Sequence, residues 1–278
     1  MKYAICNETF EGWEFARICA FIKGAGYQGV EIAPFTLAKL ITDVTPEQRK
    51  KLRAEAQKEG IAIVGLHWLL AKTEGLSLTS PELEVRKATA NYLVELAKAC
   101  ADLGGELMVL GSPAQRRIPQ GYTSAQARSF AIDTLKQTVP GFEKANVKLC
   151  LEPLSPPEAD FINTAAEGCS ILDEINHPLY VLHLDVKAMA TESSPVPEII
   201  RQYIKRTGHF HANDANRRGP GFGAVDFVPI FQALLKSAYK QWVSVEVFDY
   251  SPDPETIATQ SIHHMKSCME KALQLTSS

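Results

Sequence analysis

The chain has 278 residues, 45% of them hydrophobic, and 29 Lys+Arg against 32 Asp+Glu leave a formal charge of −3. That length and apolar content suffice for one large core, so residues 1–278 are expected to form a single domain. The balanced charge offers no basic field for a polyanion, and no apolar run reaches the roughly 18 residues of a membrane helix, so neither nucleic acid nor a membrane is an expected partner. The opening MKYAICNETFEGWEF lacks the apolar stretch and small-residue cleavage site of a signal peptide, which makes a cytoplasmic location the expectation.

Taken in chain order, short β-branched and aliphatic runs alternate with segments of helical periodicity. KYAIC is followed by a helical pattern over 14–23, GVEIA by 46–59, IAIVGLH by 81–103, and LMVLG by 124–146. VKLCLEP precedes 165–175, YVLHLDV precedes 196–205, GHFHAN precedes 228–237, and WVSVEVF precedes 254–275. Thr45-Pro46, Ser80-Pro81 and Asp253-Pro254 each place a capping side chain before a proline suited to the first helical turn. Gly24, Gly60, Gly104 and Gly105 stand where left-handed helix ends are expected. Eight strand–helix alternations favour a closed (β/α)8 TIM barrel in the α/β class over an open doubly wound sheet, and the first strand is not followed by GxGxxG. Cys6, Cys19, Cys100, Cys150, Cys169 and Cys268 form no CxxC pair and are read as reduced packing residues, with Cys6 at the floor of the barrel mouth.

Glu152, Asp185, His211 and Glu246 each end one of the last four strand runs. Parallel strands in a barrel open onto one face, so these four converge if the barrel closes. Three carboxylates and one imidazole suit a six-coordinate divalent ion, Mn2+, Mg2+ or Co2+ ahead of Zn2+. An ion beside two glutamates can polarise a carbonyl while a carboxylate removes the adjacent C–H proton. Return of the proton to the opposite face gives epimerisation; return to the neighbouring carbon gives aldose–ketose isomerisation. Any one of these acids alone is more often a cap or a salt-bridge partner.

Through LEPL, LHLDVKA, GHFHAND, GPGFG before Asp226, and SVEVFDY, the chain resembles the xylose isomerase-like TIM-barrel family of sugar isomerases and epimerases, and within it the D-tagatose 3-epimerase type of ketose 3-epimerase. The resemblance implies a divalent ion, usually Mn2+, on Glu152, Asp185, His211 and Glu246, with Glu152 and Glu246 as the acid/base pair. It also implies that Glu158 and Arg217 touch oxygens of a sugar or sugar phosphate and that His67 lines the pocket. Relatives of this kind are often dimers or tetramers, so a homo-oligomer is an expectation that no segment localises. One departure stands out: where such epimerases carry Asp-x-x-His, this chain has Asp185-Val186-Lys187-Ala188, so either Lys187 or another group supplies the lost hydrogen bond or the substrate differs from a free ketohexose. The same loss weakens a resemblance to the three-zinc endonuclease IV branch.

Two other readings stay open. The same ion and base can eliminate water from a keto-polyol, as inosose dehydratases of the superfamily do, and a barrel can bind sugar without catalysis. His183 and His209 share the inward parity of Asp185 and His211 and are expected to be hydrogen-bonded core histidines. Among Phe10, Trp13, Phe35, Trp68, Phe222 and Phe248, Trp68 is placed in the pocket by its position after His67. The glycine-rich segment after Arg217 lacks the ending of a phosphate-binding loop.

Overall fold

A computed structural model describes residues 1–277. Eight parallel strands close into a barrel in sequence order: β1 (Lys2–Cys6), β2 (Gly29–Ile32), β3 (Ala62–Leu66), β4 (Leu107–Leu110), β5 (Lys148–Leu151), β6 (Tyr180–Asp185), β7 (Thr207–Ala212) and β8 (Trp242–Val245). Closure is made by β8 against β1, with Lys2 opposite Trp242 and Ile5 opposite Val245. The expected (β/α)8 architecture is therefore the observed one.

The outer layer holds α1 (Phe15–Ala25), α2 (Pro46–Lys58), α3 (Leu83–Leu103), α4 (Ser124–Ala145), α5 (Ala165–Ile175), the single turn α6 (Val186–Met189), α7 (Val196–Tyr203), α8 (Phe227–Lys236) and α9 (Pro254–Ser277). Thr45 caps α2 by accepting from Gln48 N at 3.2 Å while Gln48 Oε1 accepts from Thr45 N at 2.7 Å, a reciprocal box that satisfies two orphan donors. Asp253 likewise accepts from Thr256 N at 2.7 Å at the start of α9. Several boundaries differ from expectation by one or two residues, three of them for a visible reason. Helix α3 begins two residues later than Pro81, at Leu83 behind Glu82, because Ser80 spends its hydroxyl on Glu82 N and its carbonyl on Arg86. Helix α1 runs through Gly24 and ends instead at Gly26, whose φ of 101° provides the left-handed cap. The seventh helix stops at Tyr203 and tightens into a 3-10 turn over Ile204–Arg206.

Two cores result. The larger lies between the strands and the helices. The smaller is built from strands alone, by Ala4, Val64, Leu107, Val109, Cys150 and Trp242, and fills the barrel interior toward the strand N-termini. Gly29 belongs to that packing, since a Cβ there would press against the Trp242 ring and Val64. All six cysteines are free and buried. Among the described residues no helix is long and apolar enough to cross a membrane.

Candidate metal centre and active site

Above the apolar plug the barrel interior turns polar. Inward parity on β6 and β7 carries His183, Asp185, His209 and His211 toward the strand C-termini, while Glu152, Glu246 and His67 each stand one residue beyond their strands. One donor atom from each of Glu152, Asp185, His211 and Glu246 lies within 4.8 Å of the others, and all four residues are buried. The four residues singled out from the sequence are thus brought together at one point.

Each is held from behind. The buried Arg116 guanidinium donates to Glu152 O and Leu110 O, both at 2.5 Å, fixing the ends of β4 and β5. Gly111 leaves room for the Glu152 carboxylate, because a Cβ there would overlap Glu152 Oε2. Asp185 caps α6 by accepting from Ala188 N at 2.8 Å, and its other oxygen accepts from Asn213 Nδ2 at 2.5 Å. His211 stands between two acids, with Nδ1 3.1 Å from Glu246 Oε2 and Nε2 3.1 Å from Glu31 Oε2. A carboxylate on one imidazole nitrogen fixes the tautomer that turns the other toward an ion. Glu246 Oε1 receives Trp68 Nε1–H at 2.7 Å and lies 3.3 Å from His67 Nδ1, whose Nε2 reaches Glu8 at 2.9 Å.

The charges sort themselves unequally. Burial opposes the charge on Glu246, yet the His211 and His67 rings outweigh it and hold this carboxyl well below the ordinary range. Glu152, whose carboxylate takes no hydrogen bond among the described residues, is pushed up to about 8 by burial and then by the charges of Glu246 and Asp185. Asp185 is raised mainly by burial, with Glu246 adding to it. His211 and His67 resist burial because of their flanking acids, Glu31 and Glu246 for the first and Glu8 and Glu246 for the second, and both lie well above the usual imidazole range. Three buried acids that repel one another around a common point are short of positive charge, which a divalent cation would supply. The donor set of three carboxylate oxygens and one imidazole fits such an ion.

The mouth is lined on one side by aromatic rings. Trp68 stacks on Phe248 with centroids 5.8 Å apart and an interplanar angle of 24°, and Phe35 leans on Trp68 at 5.6 Å. Lys187 Nζ lies 4.8 Å from the Phe248 centroid and donates to both Glu158 oxygens at 2.7 Å. Arg217 is exposed, has φ 70°, and holds its guanidinium 5.6 Å from the same ring while its carbonyl accepts from Phe248 N and Asp249 N. Trp68, Lys187 and Arg217 therefore gather on the Phe248 ring, with Glu158 held by Lys187, whereas His67 is fully buried behind Glu246. Phe10 and Trp13 instead pack with Phe21.

Several supporting residues carried little signal. Glu31 was visible as the lone acid in the apolar run GVEI. Glu8 and Arg116 sit in short 3-10 turns and Asn213 just after β7, where an acid, an Arg-Arg pair and an Asn read as surface. His209 meets the core-histidine expectation through a short contact with Glu31. His183 does not: neither ring nitrogen has a partner among the described residues, and it lies against the edge of His211 instead.

A family model described as Xylose isomerase-like TIM barrel matches residues 19–268. The chain is 27% identical over 255 residues to a D-psicose 3-epimerase of Ruminiclostridium cellulolyticum, spanning 89% of this chain and 84% of that one. Over 241 residues it is 27% identical to an L-ribulose 3-epimerase of Methylomonas sp. strain DH-1, covering 85% and 80% of the two chains. Among solved structures, a 3-keto-D-glucoside 4-epimerase from E. coli shares the fold with a TM-score of 0.84 at 19% identity, over 96% of this chain and 100% of that one. The match to the family model runs from α1 into α9 and takes in all of the strands but β1, and the chain belongs to the xylose isomerase-like TIM-barrel family.

Proposed function

We propose that this protein is a divalent-metal-dependent sugar isomerase or epimerase that moves a proton on a carbon next to a ketose carbonyl. Relatives of the chain that are named ketose, D-psicose and L-ribulose 3-epimerases support the substrate class. The observation that carries the reading is the convergence of Glu152 and Glu246 with Asp185 and His211 in one buried four-donor cluster, which sets two carboxylates beside the point where an ion would hold a substrate carbonyl.

Glu152, Asp185, His211 and Glu246 hold the ion, with Mn2+ the best fit and Mg2+, Co2+ or Zn2+ as alternatives. When bound, the ion polarises the substrate carbonyl and lowers the cost of removing the neighbouring proton. Glu246 is the oriented carboxylate: Trp68 fixes one oxygen and His211 faces the other. Glu152, whose carboxylate has no hydrogen-bond partner among the described residues, is the group left to turn an oxygen toward a substrate carbon. A proton taken by one glutamate and returned by the other on the opposite face inverts that carbon. The Trp68–Phe248 wall packs the sugar face, and the Lys187–Glu158 pair supplies hydroxyl contacts in place of a histidine at Ala188.

Incubating the Mn2+-loaded protein with free and phosphorylated ketoses in D2O tests this by NMR. Deuterium entering a single carbon with conserved product skeleton is expected. Ion binding without exchange on any ketose would leave the sugar-binding barrel, and a product lighter by one water would move the assignment to a dehydratase.

A further inference from the structure

The loop between β7 and α8 is tied down by one buried acid. Asp214 is fully buried, and its carboxylate gathers three backbone N–H groups: Oδ1 accepts from Ala215 at 2.9 Å and from Val225 at 3.3 Å, and Oδ2 accepts from Gly223 at 2.9 Å. Its own backbone closes the near side of the loop, the N–H donating to Arg218 O at 2.8 Å and the carbonyl accepting from Arg217 N at 2.9 Å. Gly223 lets the far arm approach, because a Cβ there would overlap the Asp214 carboxylate. Hydrogen bonds to an ionised acceptor are the stronger kind, so one side chain clasps both arms.

What the clasp holds is Arg217. Its backbone is in the left-handed region at φ 70°, uncommon for so large a residue, and strain of this kind concentrates where a side chain is being aimed. Its carbonyl takes Phe248 N–H at 2.8 Å and Asp249 N–H at 3.0 Å. The next residue, Arg218, is spent on Asp249, with Nε donating to Oδ2 at 2.8 Å. The Arg217 guanidinium instead lies over the Phe248 ring and has no hydrogen-bond or ion-pair partner among the described residues. Phe248 stacks on Trp68, and Trp68 donates to Glu246, so the free guanidinium is fixed on the wall to which Glu246 belongs. We propose that Asp214 is a positioning residue for substrate binding, locking the loop so that Arg217 is already in place for an oxygen of the sugar. This rests on the ketose reading above. An arginine on a loop that is already closed loses less freedom when it binds, so the effect falls on affinity rather than on the proton transfer.

Calorimetric titration of the Mn2+-loaded protein with free and phosphorylated ketoses, D-psicose first, reads this without turnover. Asp214→Asn keeps the shape but turns an NH2 group toward N–H donors. Ketose affinity should fall by about tenfold or more in that variant, with Mn2+ affinity and kcat much less affected, as for a misplaced contact away from the reacting carbon. Trypsin gives a second readout. Cleavage after Arg217 or Arg218, mapped by mass spectrometry, should be slow in the wild type and at least about tenfold faster in the variant as the loop opens. Gly223→Ala crowds the same carboxylate from the other arm and serves both comparisons if Asp214→Asn does not fold. A cycle with Arg217→Ala fixes the route, since the double variant should bind ketose no more weakly than Arg217→Ala alone. Unchanged ketose affinity, unchanged cleavage, or losses that add in the double variant overturns the assignment. Wild-type protein that binds a ketose without turning it over removes the epimerase reading and leaves this one standing, whereas wild-type protein that binds none overturns both.

Discussion

The two ends of the barrel interior are built by opposite rules. Toward the strand N-termini Ala4, Val64, Leu107, Val109, Cys150 and Trp242 interlock as an apolar plug with no titratable acid or base beyond one thiol. A few ångströms further along, Glu31, His183, His209, His211, Glu152, Asp185 and Glu246 are as deeply buried, yet every one is ionisable. The plug lowers free energy by excluding water. The upper layer costs free energy unless its charges are paired, and the pairing is incomplete, as Glu152 shows. Stability is concentrated in one layer and chemistry in the other, with the strands as the rigid link between them.

The largest effect expected from separating them is on turnover. Glu152→Gln and Glu246→Gln should each lower kcat by about 10²–10⁴-fold in proteins that still fold cooperatively, the range for removing a general acid or base. Steady-state rates beside thermal melts measure this, and normal turnover in both variants would remove the glutamates from the mechanism. The converse is Leu107→Ala in the plug. Truncating a buried leucine there should destabilise the fold by about 2–5 kcal/mol, while ion affinity of the folded fraction stays put. Denaturant titration and calorimetry read the two quantities separately; a parallel loss of ion affinity would mean the layers are not independent.

Next comes Glu31→Gln, which keeps the shape but weakens the acceptor behind His211 Nε2. Loss of such an outer-shell carboxylate typically costs about 10–100-fold in ion affinity. An unchanged binding constant would show that packing against His183 and His209 orients the His211 ring without help from the acid.

How much of this was legible follows the same division. Alternating apolar runs and proline-marked helix starts announced the barrel because period and capping are local, and Thr45 and Asp253 cap where their sequence says. The four donors were legible because each ends a strand, and closure turns a shared place in the strand into a shared place in space. What supports them was not. Arg116 reaches two carbonyls on different strands and Asn213 reaches Asp185 from 28 residues away, contacts that exist only after the chain has closed. The Ser80-Pro81 cap failed for a related reason, since Arg86 competes for the Ser80 carbonyl. The bland expectation for His183 failed because satisfaction of a buried ring depends on neighbours contributed by other strands.

The smallest effect is on pH dependence, and its sign discriminates well. In the ion-free protein Glu152 titrates near 8 rather than at the ordinary 4.5, so the folded state holds this proton more tightly than the unfolded chain does. Such a raised acid favours folding fully below about pH 4.5, and the contribution is lost as pH rises toward 8. Asp185, His211 and His67 are raised as well and act in the same direction, whereas Glu246 and Glu31, held low, lose their contribution only in acid. A bound ion replaces the protons, so the loaded protein escapes the alkaline loss. The melting-temperature gap between Mn2+-loaded and ion-free protein should therefore widen by about 2–5 °C between pH 5.5 and 8, at roughly 2–4 °C per kcal/mol for a chain of this size. Proton release on ion binding, measured by calorimetry in buffers of different ionisation heat, should be substantial at pH 6 and shrink toward pH 8.5. A gap that stays constant, with no protons released, would mean that the upper layer is already charge-balanced without a cation and that the contrast with the plug is one of composition alone.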